Sequence, residues 1–193
     1  DHQFLYPILM KISSFCLILT LVVYAGVPKL RQKTYGRCFM SLITTILMFY
    51  ITSIHNYDHS VTHDVYQCIT SAFFMYVNNL AIFFWLNVMG FELWRTFCWP
   101  ATVKQLSRKK FIKYSLYAWG CPILMGCIAI GIDNLPQNYV SLPPNFSACY
   151  LAGKLVNWAY FYWVIIAANY INLCFFIHMC YKMCKMKNVS IKR

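Results

Sequence analysis

Long apolar runs separated by short polar segments dominate the chain. A helix that crosses the bilayer needs about 20 mostly apolar residues. Five runs meet this requirement, at about residues 6–27, 38–54, 68–97, 111–132 and 155–181. The second run is the least apolar, because it holds several Ser and Thr residues whose hydroxyls can bond to the backbone of their own helix. The pattern predicts an all-α integral membrane protein, a bundle of five transmembrane helices.

Basic residues cluster in alternate linkers between these runs. The linkers after the first, third and fifth runs, with the adjoining helix ends, hold every Lys and Arg except Lys11 and Lys154. The linker 55–67 has two Asp and no Lys or Arg. Because basic residues are retained on the cytoplasmic side of a membrane, the N-terminus is expected outside and the C-terminus inside.

The composition and the residue patterns exclude several classes of function. Only 11% of the residues are charged and 60% are hydrophobic, against a charged content of about 25% in globular domains. The net charge of +12 lies in the linkers instead of on one face, which favours membrane orientation over nucleic-acid binding. We find no acid pair or nucleophile with its base at membrane depth, so we expect no enzyme and no cofactor. Three histidines four residues apart, His55, His59 and His63, fit a zinc site only if their loop were helical, so we predict no metal site.

Two specific sequence segments point to a family. Residues 81–97, AIFFWLNVMGFELWRTF, resemble the third helix of the Methuselah-like receptors, an insect branch related to the secretin-like G-protein-coupled receptors. Residues 114–122, YSLYAWGCP, contain Trp119, Gly120 and Pro122 and resemble the fourth-helix signature of secretin-like receptors. The resemblance implies helices one to five of a seven-helix receptor, a multi-pass protein of the plasma membrane. It also implies two partners besides membrane lipid: an extracellular ligand, peptide or protein, and a heterotrimeric G protein.

The chain also departs from the family pattern. Met89 stands where the secretin-like class usually carries a glutamate, so the usual inner polar lock of that class is not carried over. An extracellular domain before the first helix and two helices after the fifth, both expected in this family, are not in this sequence. We therefore expect a fragment of a signalling receptor. The alternative is a truncated, non-signalling protein that associates with full-length receptors.

Candidate residues on the outer side concern stability, modification and ligand binding. Cys68 and Cys149 lie where oxidising conditions permit a disulfide, and the family resemblance implies the same pairing. The sequence Asn145-Phe-Ser is an N-glycosylation sequon in a loop predicted to be outside. Amides at membrane depth should face other helices rather than lipid. The outer-half amides proposed for a ligand pocket are Asn78, Asn79 and Asn157.

Candidate residues on the inner side concern signalling. Glu92 and Arg95 are three residues apart and share one face of the third helix. Two interpretations are open: a latch that holds the inactive state, or an ordinary interfacial ion pair. With this pair, the basic linker residues form the predicted G-protein face: Lys104, Arg108, Lys109 and Lys110.

Overall fold

The computed structural model describes residues 2–31, 33–58, 65–99, 108–135, 143–144, 146 and 154–191. Five of its helices are long and apolar enough to cross a membrane, which confirms the predicted fold class. The first span, predicted as residues 6–27, extends one residue past the end of its helix at Gly26. The elements in chain order are α1 (His2–Gly26), α2 (Pro28–Arg31), α3 (Thr34–Asp58), α4 (Val65–Cys98), α5 (Arg108–Asp133), α6 (Lys154–Asn157), a π-helical turn (Trp158–Tyr162) and α7 (Trp163–Ile191).

Local chemistry accounts for the boundaries and for the polar residues inside the helices. The first long helix ends at Gly26, two residues before Pro28, and the basic segment follows. Hydroxyls within the spans bond to carbonyls one turn earlier, as Thr45 Oγ1 does to Ser41 O at 2.8 Å. These bonds satisfy the hydroxyls inside the helix, so a Ser- and Thr-rich helix remains compatible with lipid.

The central element of the bundle is α4. It packs against α3, α5 and α7, while α1 packs against α3. Leu80, Ala81 and Trp85 on α4 are fully buried, whereas most large apolar side chains of α1 are exposed. A helix surrounded by other helices is largely apolar, and its few polar side chains face those helices, as the buried Asn87 and Glu92 on α4 do. It is therefore in a position to link changes among three neighbouring helices.

Two glycines mark the closest approaches to α4. A Cβ on Gly126 of α5 would lie 2.6 Å from Phe73 Cε2, and a Cβ on Gly90 would lie 2.8 Å from Asn172 Oδ1 on α7. Small residues let membrane helices approach closely enough for extensive van der Waals contact. Both helix pairs thus depend on a residue without a side chain.

Candidate functional site

The end of the bundle that contains the C-terminus of α3 and the N-terminus of α4 is called the outer end here, following the charge distribution. A cavity of about 20 Å³ lies there between α3, α4 and the π-helical turn. It has room for a single water. The residues that line it are Phe49, Ala72, Met75, Tyr76, Asn79, Asn157 and Phe161.

The structure separates the three amides proposed for a ligand pocket. Asn79 and Asn157 line the same outer cavity. Asn78 is buried, and its Nδ2 donates to Phe74 O at 2.8 Å on the same helix. Asn78 and Asn79 are adjacent, and adjacent helical residues point about 100° apart, so only one of them faces the cavity.

A loop residue covers the outer end of α4. The backbone N–H of Phe146 donates to Asp133 Oδ2 at 3.1 Å, and its fully buried ring lies edge-on to Tyr76 with 6.1 Å between ring centroids. Phe146 is the middle residue of the glycosylation sequon, whose Asn145 lies outside the described residues. Cys68 is buried and disulfide-bonded. Its expected partner Cys149 also lies outside the described residues, so the pairing stays a prediction.

Polar contacts join α4 to the fifth span along its length, and we call this line of contacts the α4–α7 seam. At the outer end, Tyr76 Oη donates to Tyr160 O at 2.8 Å. Tyr160 lies in the π-helical turn, where the wider hydrogen-bond register disturbs the regular pairing of carbonyls. The Tyr76 hydroxyl supplies a donor to this irregular backbone.

The middle of the seam is buried. Asn87 Nδ2 donates to Ala168 O at 3.1 Å, and both residues are less than 10% exposed. One turn further in, Asn172 reaches the backbone of α4 at Gly90. Its buried Oδ1 has no hydrogen-bond partner among the described residues.

The inner end of the seam is the most polar. Trp94 Nε1 donates to His178 Nδ1 at 2.8 Å, so this nitrogen is the acceptor and the ring proton is on Nε2. The Lys182 ammonium donates to Cys98 O. It also lies 4.6 Å from the centroid of the Trp99 ring, within the range of a cation–π interaction. Four contacts therefore connect the inner ends of α4 and α7, counting the Cys98 Sγ to His178 Nδ1 approach of 3.6 Å.

A second polar group, the inner polar cluster, joins α4 to α5 and consists of Glu92, Arg95 and Tyr114. Tyr114 Oη donates to Glu92 Oε2 at 2.7 Å, and Arg95 Nη1 lies 3.5 Å from Tyr114 Oη. The direct separation from Arg95 Nη1 to Glu92 Oε2 is 3.9 Å. Glu92 is only 7% exposed. The predicted pair thus lies on one face of α4, but the shorter bond to the carboxylate comes from another helix.

The fourth-helix signature residues occupy different environments on α5. Pro122 is fully buried, and Trp119 is half-buried beside α3. A Cβ on Gly120 would make only an ordinary contact of 3.9 Å with Leu116 Cδ1. The close approach to α4 belongs to Gly126 instead, which the signature does not include.

The predicted basic face is described only in part. Lys109 is exposed and Lys110 half-buried at the start of α5. Lys104 lies outside the described residues, as does the side chain of Arg108. Within the described part of the chain, no three His, Cys, Asp or Glu side chains are grouped as metal ligands.

The sequence interpretation missed the main polar partners of α4. Tyr76 and His178 lie in runs identified only by their hydropathy, and Tyr114 begins the fourth-helix segment that carries the family resemblance but was given no role. Each of the three bonds to a residue 22 or more positions away. The one available signal was a hydroxyl or imidazole at membrane depth, where an unpartnered polar group is costly.

Comparison with known proteins places this chain in a family. Residues 1–193 match the family described as 7 transmembrane receptor (Secretin family). The chain is 33% identical over 133 residues to the G-protein coupled receptor Mth of Drosophila yakuba, covering 68% of this chain and 25% of that protein. It is 30% identical over 175 residues to the probable G-protein coupled receptor Mth-like 4 of Drosophila melanogaster, covering 86% of this chain and 32% of that protein. The matches thus span about a quarter to a third of these relatives. The predicted Methuselah-like resemblance is confirmed, and the chain belongs to the secretin family of seven-transmembrane receptors.

Proposed function

We propose that this chain forms the transmembrane core of a plasma-membrane receptor that passes an extracellular ligand signal to a heterotrimeric G protein. The observation that supports this function best is the α4–α7 seam. Its polar contacts begin beside the outer cavity at Tyr76 and end near the inner surface at Lys182. A change in packing at one end therefore has a series of contacts between the same two spans through which to reach the other.

The strength of these contacts suits a two-state device. Hydrogen bonds between membrane helices average about 0.6 kcal/mol, while a typical coupling energy between two sites is about 1–3 kcal/mol. Exchanging a few seam contacts for others is thus within reach of a bound ligand. The ligand shifts the population by binding one packing better than the other.

On the outer side, the proposal assigns ligand access to the region above Asn79 and Asn157. The outer cavity, at about 20 Å³, is far smaller than the roughly 300 Å³ or more of ordinary ligand sites. Binding there would require Phe146 to move away from Tyr76. A Cys68–Cys149 disulfide would restrain the same loop, and a glycan on Asn145 would mark its outer surface.

On the inner side, the proposal assigns the latch to the inner polar cluster. The bond from Tyr114 to Glu92 joins α5 to α4, so its loss would release the inner end of α5 from α4. The G-protein surface would comprise Glu92, Arg95, Lys104, Arg108, Lys109 and Lys110.

A chimera tests this function without a known ligand. Residues 1–193 replace the matching segment of the full-length Drosophila melanogaster Mth-like 4 protein, and ligand-independent nucleotide exchange is measured in membranes with each G-protein class. Tyr114→Phe is expected to raise exchange above the unmodified chimera. Tyr117→Phe is the matched control, because this half-exposed tyrosine packs on Phe84 and has no part in the cluster.

Two results would contradict the proposal in different ways. Equal exchange from both tyrosine variants would remove the latch. No exchange from any surface-expressed chimera with any G-protein class would remove the coupling. If that chimera also associated with full-length receptors, the non-signalling alternative would be favoured.

A further inference from the structure

An open groove runs along the inner half of the bundle between α3 and α5, away from the α4–α7 seam. Its volume is about 340 Å³. One cationic side chain, two hydroxyl side chains, a thioether and two aromatic rings line it: Arg37, Met40, Ser41, Thr44, Phe111 and Trp119. We call it the α3–α5 groove.

The groove has a polar end and an apolar length. Arg37 lies in the first turn of α3, while Thr44 lies seven residues further along the same helix, about 10 Å deeper in the membrane. Phe111 and Trp119 are eight residues apart on α5, so the aromatic wall spans about 12 Å. The Thr44 hydroxyl donates to Met40 O at 2.9 Å, so it is satisfied without a ligand and the deep end can accept an apolar group.

The charge around the polar end selects one kind of occupant. Arg37 lines the groove, and other basic residues, Lys33, Lys109, Lys110 and Lys113, lie at the adjoining ends of α3 and α5. The described acid at this level, Glu92, accepts its bond from Tyr114. The cytoplasmic leaflet carries anionic lipids, and basic pockets between transmembrane helices on that side bind their headgroups.

We propose that the α3–α5 groove binds one anionic glycerophospholipid of the inner leaflet. The phosphate lies at Arg37, and an acyl chain extends along Phe111 and Trp119 toward Thr44. A free anion would leave the aromatic wall unused. A zwitterionic lipid would lack the net negative charge that the basic rim favours. The proposal requires the membrane orientation derived from the charges, and it does not require G-protein coupling.

Native mass spectrometry of the purified chain in detergent provides the test. Phosphatidylserine and phosphatidylcholine with identical acyl chains are added at equal concentration, and bound lipid is counted. The unmodified chain should retain more phosphatidylserine. Arg37→Gln should weaken phosphatidylserine binding about fivefold, the effect of one basic residue at an anionic surface. Lys185→Gln is the matched control, since it removes the same charge from an exposed position on α7 that does not line the groove.

A second variant tests the apolar part of the site without changing charge. Thr44→Phe fills the deep end and should lower the retention of both lipids, while circular dichroism verifies that each variant remains helical. Equal losses from Arg37→Gln and Lys185→Gln would show diffuse attraction to the surface and overturn the proposal. Full displacement of the lipid by inorganic phosphate, or a second copy of the chain in place of the lipid, would overturn it as well.

Discussion

Gly126→Ala is expected to weaken the contact between α4 and α5. The added Cβ would lie 2.6 Å from Phe73 Cε2 and 2.9 Å from Val77 Cγ2, closer than ordinary van der Waals contact permits. Gly126 is buried and Phe73 packs against the core, so neighbouring side chains must also shift. Overpacking of this kind costs about 1–3 kcal/mol, and the better helix propensity of alanine offsets about 1 kcal/mol. The net loss in the free energy of unfolding should reach about 2 kcal/mol.

Gly120→Ala on the same helix is the matched control. Its nearest neighbour would be Leu116 Cδ1 at 3.9 Å, so it gains helix propensity without overpacking. The two variants should differ by about 1–3 kcal/mol, which corresponds to roughly 2–12 °C in apparent Tm for a chain of this size. The assay is thermal unfolding in one detergent at one scan rate. An equal or higher Tm for Gly126→Ala than for Gly120→Ala would refute the overpacking argument.

Three further substitutions or measurements test other contacts. Asn87→Ala should lower the apparent Tm by a few degrees in the same unfolding assay, because it removes a buried hydrogen bond worth about 0.6 kcal/mol and leaves a small cavity. The control is Asn169→Ala, which should leave the Tm unchanged because Asn169 is exposed on α7. Tyr76→Phe should cost up to about 1.7 kcal/mol by withdrawing the donor from the π-helical turn, and an unchanged Tm would show that another group replaces the hydroxyl. Non-reducing peptide mapping should recover Cys68 and Cys149 in one linked peptide, whereas complete alkylation of Cys149 would exclude this pair.

Hydropathy located the long helices because lipid imposes the same apolar requirement on each of them. It did not mark their ends. The second span was predicted as residues 38–54, while α3 extends from Thr34 to Asp58, because a helix continues past the apolar region wherever its polar end residues meet headgroups or water. The π-helical turn was also not predicted. A one-residue change in hydrogen-bond register has no reliable local signal and depends on a tertiary contact such as that of Tyr76.

The candidate site shows the same division between local and long-range information. Spacing alone correctly put Glu92 and Arg95 on one face of α4, since residues three apart are neighbours on a helix. Nothing in the spacing showed that Tyr114 would give Glu92 its shortest bond. That contact depends on how α5 lies against α4, as the bond between Trp94 and His178 depends on α7. Partners this distant in sequence are brought together only by the packing of the whole bundle.

The arrangement around α4 suggests which parts of the bundle move. Glu92 and Trp94 are two positions apart, so they point about 200° apart around the helix, one toward Tyr114 on α5 and the other toward His178 on α7. At this depth the helix is therefore held from two sides. The Phe91 ring connects these sides, because its centroid lies 6.3 Å from that of Tyr114 on α5 and 5.7 Å from that of Phe175 on α7. On the proposed function, a displacement of α7 would break the bond to His178 and, through Phe91, would also disturb Tyr114 and the inner polar cluster.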